Sequence, residues 1–152
     1  MDKEELKSGA TPAPDLKLNK NVIKVSKKQE ANPLLKFGKF HYVFSDDKAM
    51  PEDYDINEKV SLLFLSLTYH LSYPLYIVNR LDELHRQRKG KNRILLVLCD
   101  NPDEQNMING LTIQTIKFDT TMIMCWSYEE AAQYILTMKS YENKTQTILE
   151  GF

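Results

Sequence analysis

No glycine-rich phosphate loop, nucleophile elbow or zinc signature occurs in the sequence. Loop-cradled phosphates, elbow-borne acyl transfer and a Cys/His metal centre therefore have no motif behind them. Cysteine is scarce. Cys99 and Cys125 each sit inside an apolar run, which reads as two buried, reduced thiols and excludes a disulfide scaffold. His41, His70 and His85 are scattered, with no ligand spacing to the cysteines. Net charge is only −1, so any nucleic-acid role has to rest on a local patch. No apolar run is long enough to span a membrane, and the charged N-terminus has no signal-peptide pattern. The expected compartment is intracellular.

Hydrophobic residues make up 42% and charged residues 27% of the 152, enough for one domain with a sizeable core. Residues 1–20, charged around Thr11-Pro12-Ala13-Pro14, are expected to form a disordered tail. Val22 to Val25 reads as a strand. Asn32-Pro33 starts a turn, and Leu34-Leu35-Lys36-Phe37 packs down after it. Phe40 to Phe44 and Asp53 to Ile56 predict short strands joined by a loop. Arg93 to Cys99 and Thr120 to Trp126 predict buried strands. Leu75, Ile77, Val78, Leu81 and Leu84 have helical spacing up to Gln87. Asn101-Pro102-Asp103-Glu104 opens a helix with Met107, Ile108, Leu111, Ile113 and Ile116 as its apolar positions. Ser127-Tyr128-Glu129-Glu130 is a capping box before a helix carrying Ala131, Tyr134, Ile135 and Met138. This alternation predicts an α/β sandwich with parallel later strands.

The chain is organised around Val60 to Tyr76. Its first half suits a strand buried on both faces that runs as far as Tyr69. Ser72 then caps a helix, with Pro74 in the first turn. Tyr69, Tyr73 and Tyr76 cluster where strand gives way to helix, and strand ends of open α/β sheets are where ligands dock. The plainer alternative is that the rings finish the core and send their hydroxyls to water.

Asp53, Asp55, Asp100 and Asp119 stand near strand ends. Paired carboxylates hold Mg²⁺ in phosphodiester cleavage, but these four lack nuclease spacing and read first as solvated turn acids. One basic cluster stands out: Arg80, Arg86, Arg88, Lys89, Lys91 and Arg93, with only Asp82 and Glu83 against them locally. It reads as a phosphate-neutralising patch or as a helix end dressed with cations that suit the dipole.

Several stretches in order resemble one family. They are Asn32 to Phe37, Asp53-Tyr54, Leu63 to His70, Tyr76-Ile77, Arg80-Leu81, Arg93 to Cys99, the Asp100-Asn101-Pro102 start, Thr120 to Trp126, and Ser127 to Tyr141. Together, over about Val22 to Leu149, they resemble the excision-repair cross-complementing group one family. Its members are the non-catalytic subunit of the XPF-type structure-specific excision-repair endonuclease. The resemblance implies a restriction-endonuclease-like (XPF nuclease-like) mixed sheet flanked by helices and catalytically inactive. The active nucleases carry Glu-Arg-Lys followed by Asp, and no such run is present here. It also implies a domain over 21–150, no cofactor, a nuclear location and heterodimerisation with the XPF-type subunit. Single-stranded and junction DNA would be bound, and the cations Arg80, Arg86, Arg88, Lys89, Lys91 and Arg93 are the expected DNA contacts. A groove for a peptide of the damage-recognition protein XPA would comprise Asn32, Tyr69 and Tyr76, with Phe64 and Ser66 nearby. Longer members add a tandem helix-hairpin-helix module, which is not expected before Phe152. A divergent Mg²⁺ nuclease using Asp53, Asp100 or Asp119 and a peptide-binding adaptor with no DNA role are the rival readings.

Overall fold

The computed structural model describes residues 21–141 and the backbone of one two-residue strand, Leu6–Lys7 (β1). The remaining residues of the expected tail and the stretch 142–152 lie outside the described residues. The other strands are Val22–Val25 (β2), His41–Phe44 (β3), Tyr54–Asp55 (β4), Val60–Ser66 (β5), Asn92–Leu98 (β6) and Thr121–Cys125 (β7). The helices are Leu34–Phe37 (α1), Leu67–Ser72 (α2), Tyr76–Gln87 (α3), Glu104–Lys117 (α4) and Tyr128–Ser140 (α5).

The strands form one mixed sheet in the order β1-β3-β2-β4-β5-β6-β7. β5, β6 and β7 are parallel, as the strand–helix alternation predicts. β4 is antiparallel to both β2 and β5, which leaves β2 and β3 running in the direction of β5.

The apolar run of β5 is buried on both faces because side chains alternate across the sheet. Leu62 and Phe64 join Leu96, Leu98 and Cys125 under α1 and α5, where Leu34, Leu35, Ala131 and Ile135 close the core. Leu63 and Leu65 join Leu95 and Val97 on the opposite face, under Ile77, Leu81 and Leu84 of α3 and Leu111 of α4. Each fully buried leucine contributes about 1.5–3 kcal/mol. Both cysteines are free and buried, and burial pushes the Cys125 thiol up to about 12.

Three local expectations are corrected. β7, expected to be buried, is an edge strand of the sheet, with Thr121 and Met124 exposed. The central strand stops at Ser66, and Thr68-Tyr69 is already helical. The cap is Ser66 instead of Ser72: its hydroxyl accepts from the Tyr69 amide at 3.3 Å. Ile113 and Ile116, read as apolar positions of their helix, point outward, with Ile116 73% exposed. They lie opposite Leu111, which is buried, as 100° per residue requires. The capping box holds in part. Ser127 Oγ accepts from the Glu130 amide at 3.0 Å, while Glu130 reaches back to the Trp126 amide at 2.7 Å.

Candidate functional site

Ser66 ends β5 at the carboxyl edge of the parallel strands, and two features shape the chain beyond it. Asp100, just past β6, accepts from Ser66 Oγ at 2.7 Å and from the Thr68 amide at 3.0 Å, so it caps α2 from across the sheet. α2 then breaks at Tyr73, whose backbone is neither helical nor extended, and Pro74 leads into α3. The break brings Tyr69, Tyr73 and Tyr76 together. Tyr69 and Tyr73 lie 4.7 Å apart between ring centroids, and Tyr69 meets Tyr76 edge-on at 5.1 Å. Tyr73 is exposed, as are Leu71 and Leu75 on either side of it in the chain, Leu75 by 71%. Contiguous exposed apolar groups of this kind mark interaction surfaces.

The other two expected members of this cluster, Asn32 and Phe64, are placed differently. Phe64 is buried on the α5 side of the sheet, stacked on Tyr128 at 6.2 Å, whereas Tyr76 packs on the α3 side. Asn32, after β2, caps α1 by accepting from the Leu34 amide at 2.9 Å and donates to Gln29 at 2.8 Å. Sequence reasoning placed Tyr73 in the tyrosine cluster but not among the groove residues, and it left out Leu71 and Leu75. The break at Tyr73-Pro74 is the signal that exposes them.

Behind the tyrosines lies a buried ionic knot. Arg80 falls on the buried stripe of α3 with Ile77, Leu81 and Leu84. Its guanidinium donates to Asp53 Oδ1 at 3.0 Å, to the Pro51 carbonyl at 2.9 Å and to the Tyr76 hydroxyl. Asp53 Oδ2 accepts from the Phe64 amide at 2.8 Å. Burial pushes the Asp53 carboxyl up, with Arg80 and that amide acting the other way. Glu52, fully buried, is held by Arg88 at 2.8 and 3.1 Å and by Ser61 at 2.9 Å. Burial works to raise Glu52, but these hydrogen bonds outweigh it and leave the carboxyl below its ordinary value.

The expected DNA-contacting cations sit mostly at the opposite, amino edge. α3 spans about 18 Å at 1.5 Å per residue, and its C-terminus carries Arg86 and Arg88. Opposing acids come from elsewhere in the fold as well as from Asp82 and Glu83. Arg80 pairs with Asp53, Arg88 with Glu52, and Lys91 with Asp55 at 3.3 Å. Arg93 is buried and donates to three main-chain carbonyls. Among the described residues Arg86 pairs only with Asp82, at the surface, and Lys89 is exposed with no carboxylate partner. A cleft of about 450 Å³ opens between His85, Lys89, Lys91, Arg93 and Thr121.

The four candidate acids are spread over the fold. Asp53 is buried in the knot and is not a solvated turn acid. Asp100 caps α2 at the carboxyl edge. Asp55 and Asp119 lie toward the amino edge, Asp119 in the left-handed region at φ 51°. Among the described residues no three acids, histidines or cysteines converge as metal ligands.

The family model described as "Rad10: Binding domain of DNA repair protein Ercc1 (rad10/Swi10)" matches residues 20–145. The DNA excision repair protein ERCC-1 of Arabidopsis thaliana is 37% identical, over 88% of this chain and 32% of that protein. The mating-type switching protein swi10 of Schizosaccharomyces pombe is 33% identical, over 98% of this chain and 59% of that protein. The chain thus spans between about a third and three-fifths of these relatives' length. Among solved structures, XPF from Aeropyrum pernix in complex with DNA superposes with a TM-score of 0.66 at 10% identity, over 82% of this chain and 66% of that one. XPF from the same organism in another structure gives 0.65 at 8%, over 86% and 69%. The XPF nuclease-like fold expected from the sequence is therefore the observed fold. With the family model covering the described domain almost from end to end, the chain belongs to the Rad10/ERCC1 family.

Proposed function

We propose that this chain is the non-catalytic, DNA-binding adaptor subunit of a heterodimeric, XPF-type structure-specific endonuclease acting in nuclear nucleotide excision repair. Family membership supports the repair role and the XPF-type partner. The observation that carries the non-catalytic part is the fate of the acids within an XPF-like fold. Asp53 is locked to Arg80, Asp100 serves as a helix cap, and Asp55 and Asp119 lie at the far edge. The tyrosine surface at the carboxyl edge takes a peptide of an XPA-type damage-recognition protein. The amino edge, through Arg86, Lys89 and the outer faces of Arg88 and Lys91, contacts single-stranded DNA near a junction. Buried Arg80 and Arg93 shape those edges from beneath.

The pairing of Arg80, Arg88 and Lys91 with acids favours a second reading, a peptide-binding adaptor without a DNA role. Fluorescence anisotropy with splayed-arm DNA separates the two. The DNA reading expects affinity that falls with salt, by about 0.7–0.9 in log–log slope per phosphate contact, and a shallower slope in Arg86→Gln/Lys89→Gln. Salt-independent or absent binding leaves the adaptor. Peptide titration of Tyr73→Ala and Leu75→Ala tests the other edge. Both residues are exposed, so each variant should fold normally and lose peptide affinity by roughly thirtyfold if it is a hot spot worth about 2 kcal/mol. Unchanged affinity would remove the groove.

A further inference from the structure

The amino-edge cleft has more construction than a helix end dressed with cations needs. Its floor is the Arg93 guanidinium, 7% exposed. Nη1 donates to the Arg88 carbonyl at 3.0 Å and the Lys91 carbonyl at 3.3 Å, and Nη2 to the Asp119 carbonyl at 3.0 Å. Carbonyls satisfy hydrogen bonds but carry no full charge, so these three bonds hold the cation in place without themselves neutralising it. Its Nε is buried and has no acceptor among the described residues. Among the described residues Asp119 is the one carboxylate against Arg93, at 3.5 Å, and its side chain is 93% exposed. Lys89, with no carboxylate partner among the described residues, and Lys91, paired with Asp55 at 3.3 Å, line the walls, and Thr121 adds a hydroxyl. Gly90 sits between the lysines at φ 86°, and no atom lies within 4 Å of the place a Cβ would take. The mouth is open there.

We infer that this cleft seats a terminal phosphate of a DNA strand, with Lys89, Lys91 and Arg93 as its cationic surround; the inference rests on the DNA-binding reading above. Size and charge both point this way. A concave volume of about 450 Å³ lies in the range that encloses a small ligand, and a strand running past would touch only its mouth. A phosphate monoester carries about −1.5 to −2 charge at neutral pH, against −1 for each internal diester. Cations concentrated at one point discriminate between the two, and charge-assisted hydrogen bonds fix the group. A strand passing across the rim would instead meet Asp119.

The test uses the full chain and a short oligothymidylate carrying a 5′-phosphate, a 3′-phosphate or neither, read by anisotropy. One phosphorylated end is expected to bind roughly tenfold tighter than the unphosphorylated strand. That advantage should vanish in Lys89→Ala and survive in Arg86→Ala, which alters the surface outside the cleft. Backbone amide shifts should move at Gly90 and Asn92 when thymidine monophosphate is added. Equal affinity for all three strands overturns the terminal-phosphate site while leaving general DNA binding intact. An advantage that persists in Lys89→Ala, or shifts confined to another part of the domain, overturns it as well. Absence of any DNA binding removes both this site and the reading on which it rests.

Discussion

Asp53→Asn should remove much of this domain's margin of stability, and the size of the effect is set by the two oxygens of one carboxylate. Oδ1 takes Arg80 at 3.0 Å and Oδ2 takes the Phe64 amide at 2.8 Å. Both partners are donors. An asparagine offers one acceptor and one donor, so whichever way it turns, its NH₂ faces a donor. Arg80, 6% exposed, keeps its charge with only the Pro51 carbonyl and the Tyr76 hydroxyl for company. Removing one partner of a buried pair costs about 3–5 kcal/mol, against about 5–15 kcal/mol for a whole domain. With a urea m-value of about 2 kcal/mol per M, the midpoint should fall by about 2 M. Arg80→Met alone should cost a similar amount, because it leaves Asp53 charged and buried. The pair Asp53→Leu/Arg80→Met should recover most of the loss, since an apolar replacement removes both desolvated charges together. If Asp53→Asn loses less than about 1 kcal/mol, the worth of an exposed ion pair, the knot does not hold α3 and the reasoning is wrong. The same arithmetic governs any test of the nuclease rival: cleavage lost in Asp53→Asn carries meaning only at matched folded fraction.

Three further outcomes are expected. Glu52 has a folded-state carboxyl below its ordinary value of 4.5, so its stabilising contribution is complete above that pH and is lost as pH falls through the depressed value. Thermal melts from pH 6 downward should therefore fall more steeply for the wild type than for Glu52→Gln, which starts lower; parallel curves would contradict the Arg88 clamp. Ile113→Lys and Ile116→Lys should change stability by no more than about 0.5 kcal/mol, whereas Leu111→Ala should cost about 2–5 kcal/mol, as chemical denaturation would measure. Ser66→Ala deletes the cap on the Tyr69 amide and the bond to Asp100. It should cost about 1 kcal/mol, seen as a melting shift of roughly 4 °C.

What could be read from the sequence was whatever depends on near neighbours. β5 and β6 are interior strands, and their largely apolar runs announced them; β7, with a similar apolar run, lies at the edge of the sheet and is only partly covered. The Ser127 cap and the turn at Asn32-Pro33 are local chemistry as well. The start of α2 was hidden for the opposite reason. Leu67-Thr68-Tyr69 prolongs the apolar pattern with residues that suit strands. Its helical fate is fixed in part by Asp100, 32 residues away from Thr68 in sequence. Arg80 was counted with Arg86 and Arg88 because proximity in sequence suggests one patch. Helical geometry turns Arg80 inward, onto the stripe of Ile77 and Leu84, and its acid lies 27 residues upstream. Ile113 and Ile116 misled because apolar residues in a helix are read as core until the angle between them and Leu111 is respected.

The loop before β4 shows why two surfaces at opposite edges belong to one device. Its adjacent buried acids hold α3 at two points. Asp53 grips Arg80, one turn past Tyr76, and Glu52 grips Arg88 at the C-terminal cap. These grips are about 12 Å apart along the helix. Between them α3 also buries Leu81 and Leu84, so it is fixed as a rigid strut with the tyrosine surface at its start and the basic edge at its end. A substitution in the Glu52-Asp53 pair is then expected to perturb both surfaces, while exposed Tyr73 or Lys89 perturbs only its own. Amide shifts compared between Glu52→Gln and Tyr73→Ala would read this directly: changes at both Tyr69 and Gly90 in the first and at Tyr69 alone in the second. Changes confined to the 50–61 region in Glu52→Gln would mean that α3 is held by its apolar stripe without help from the acids.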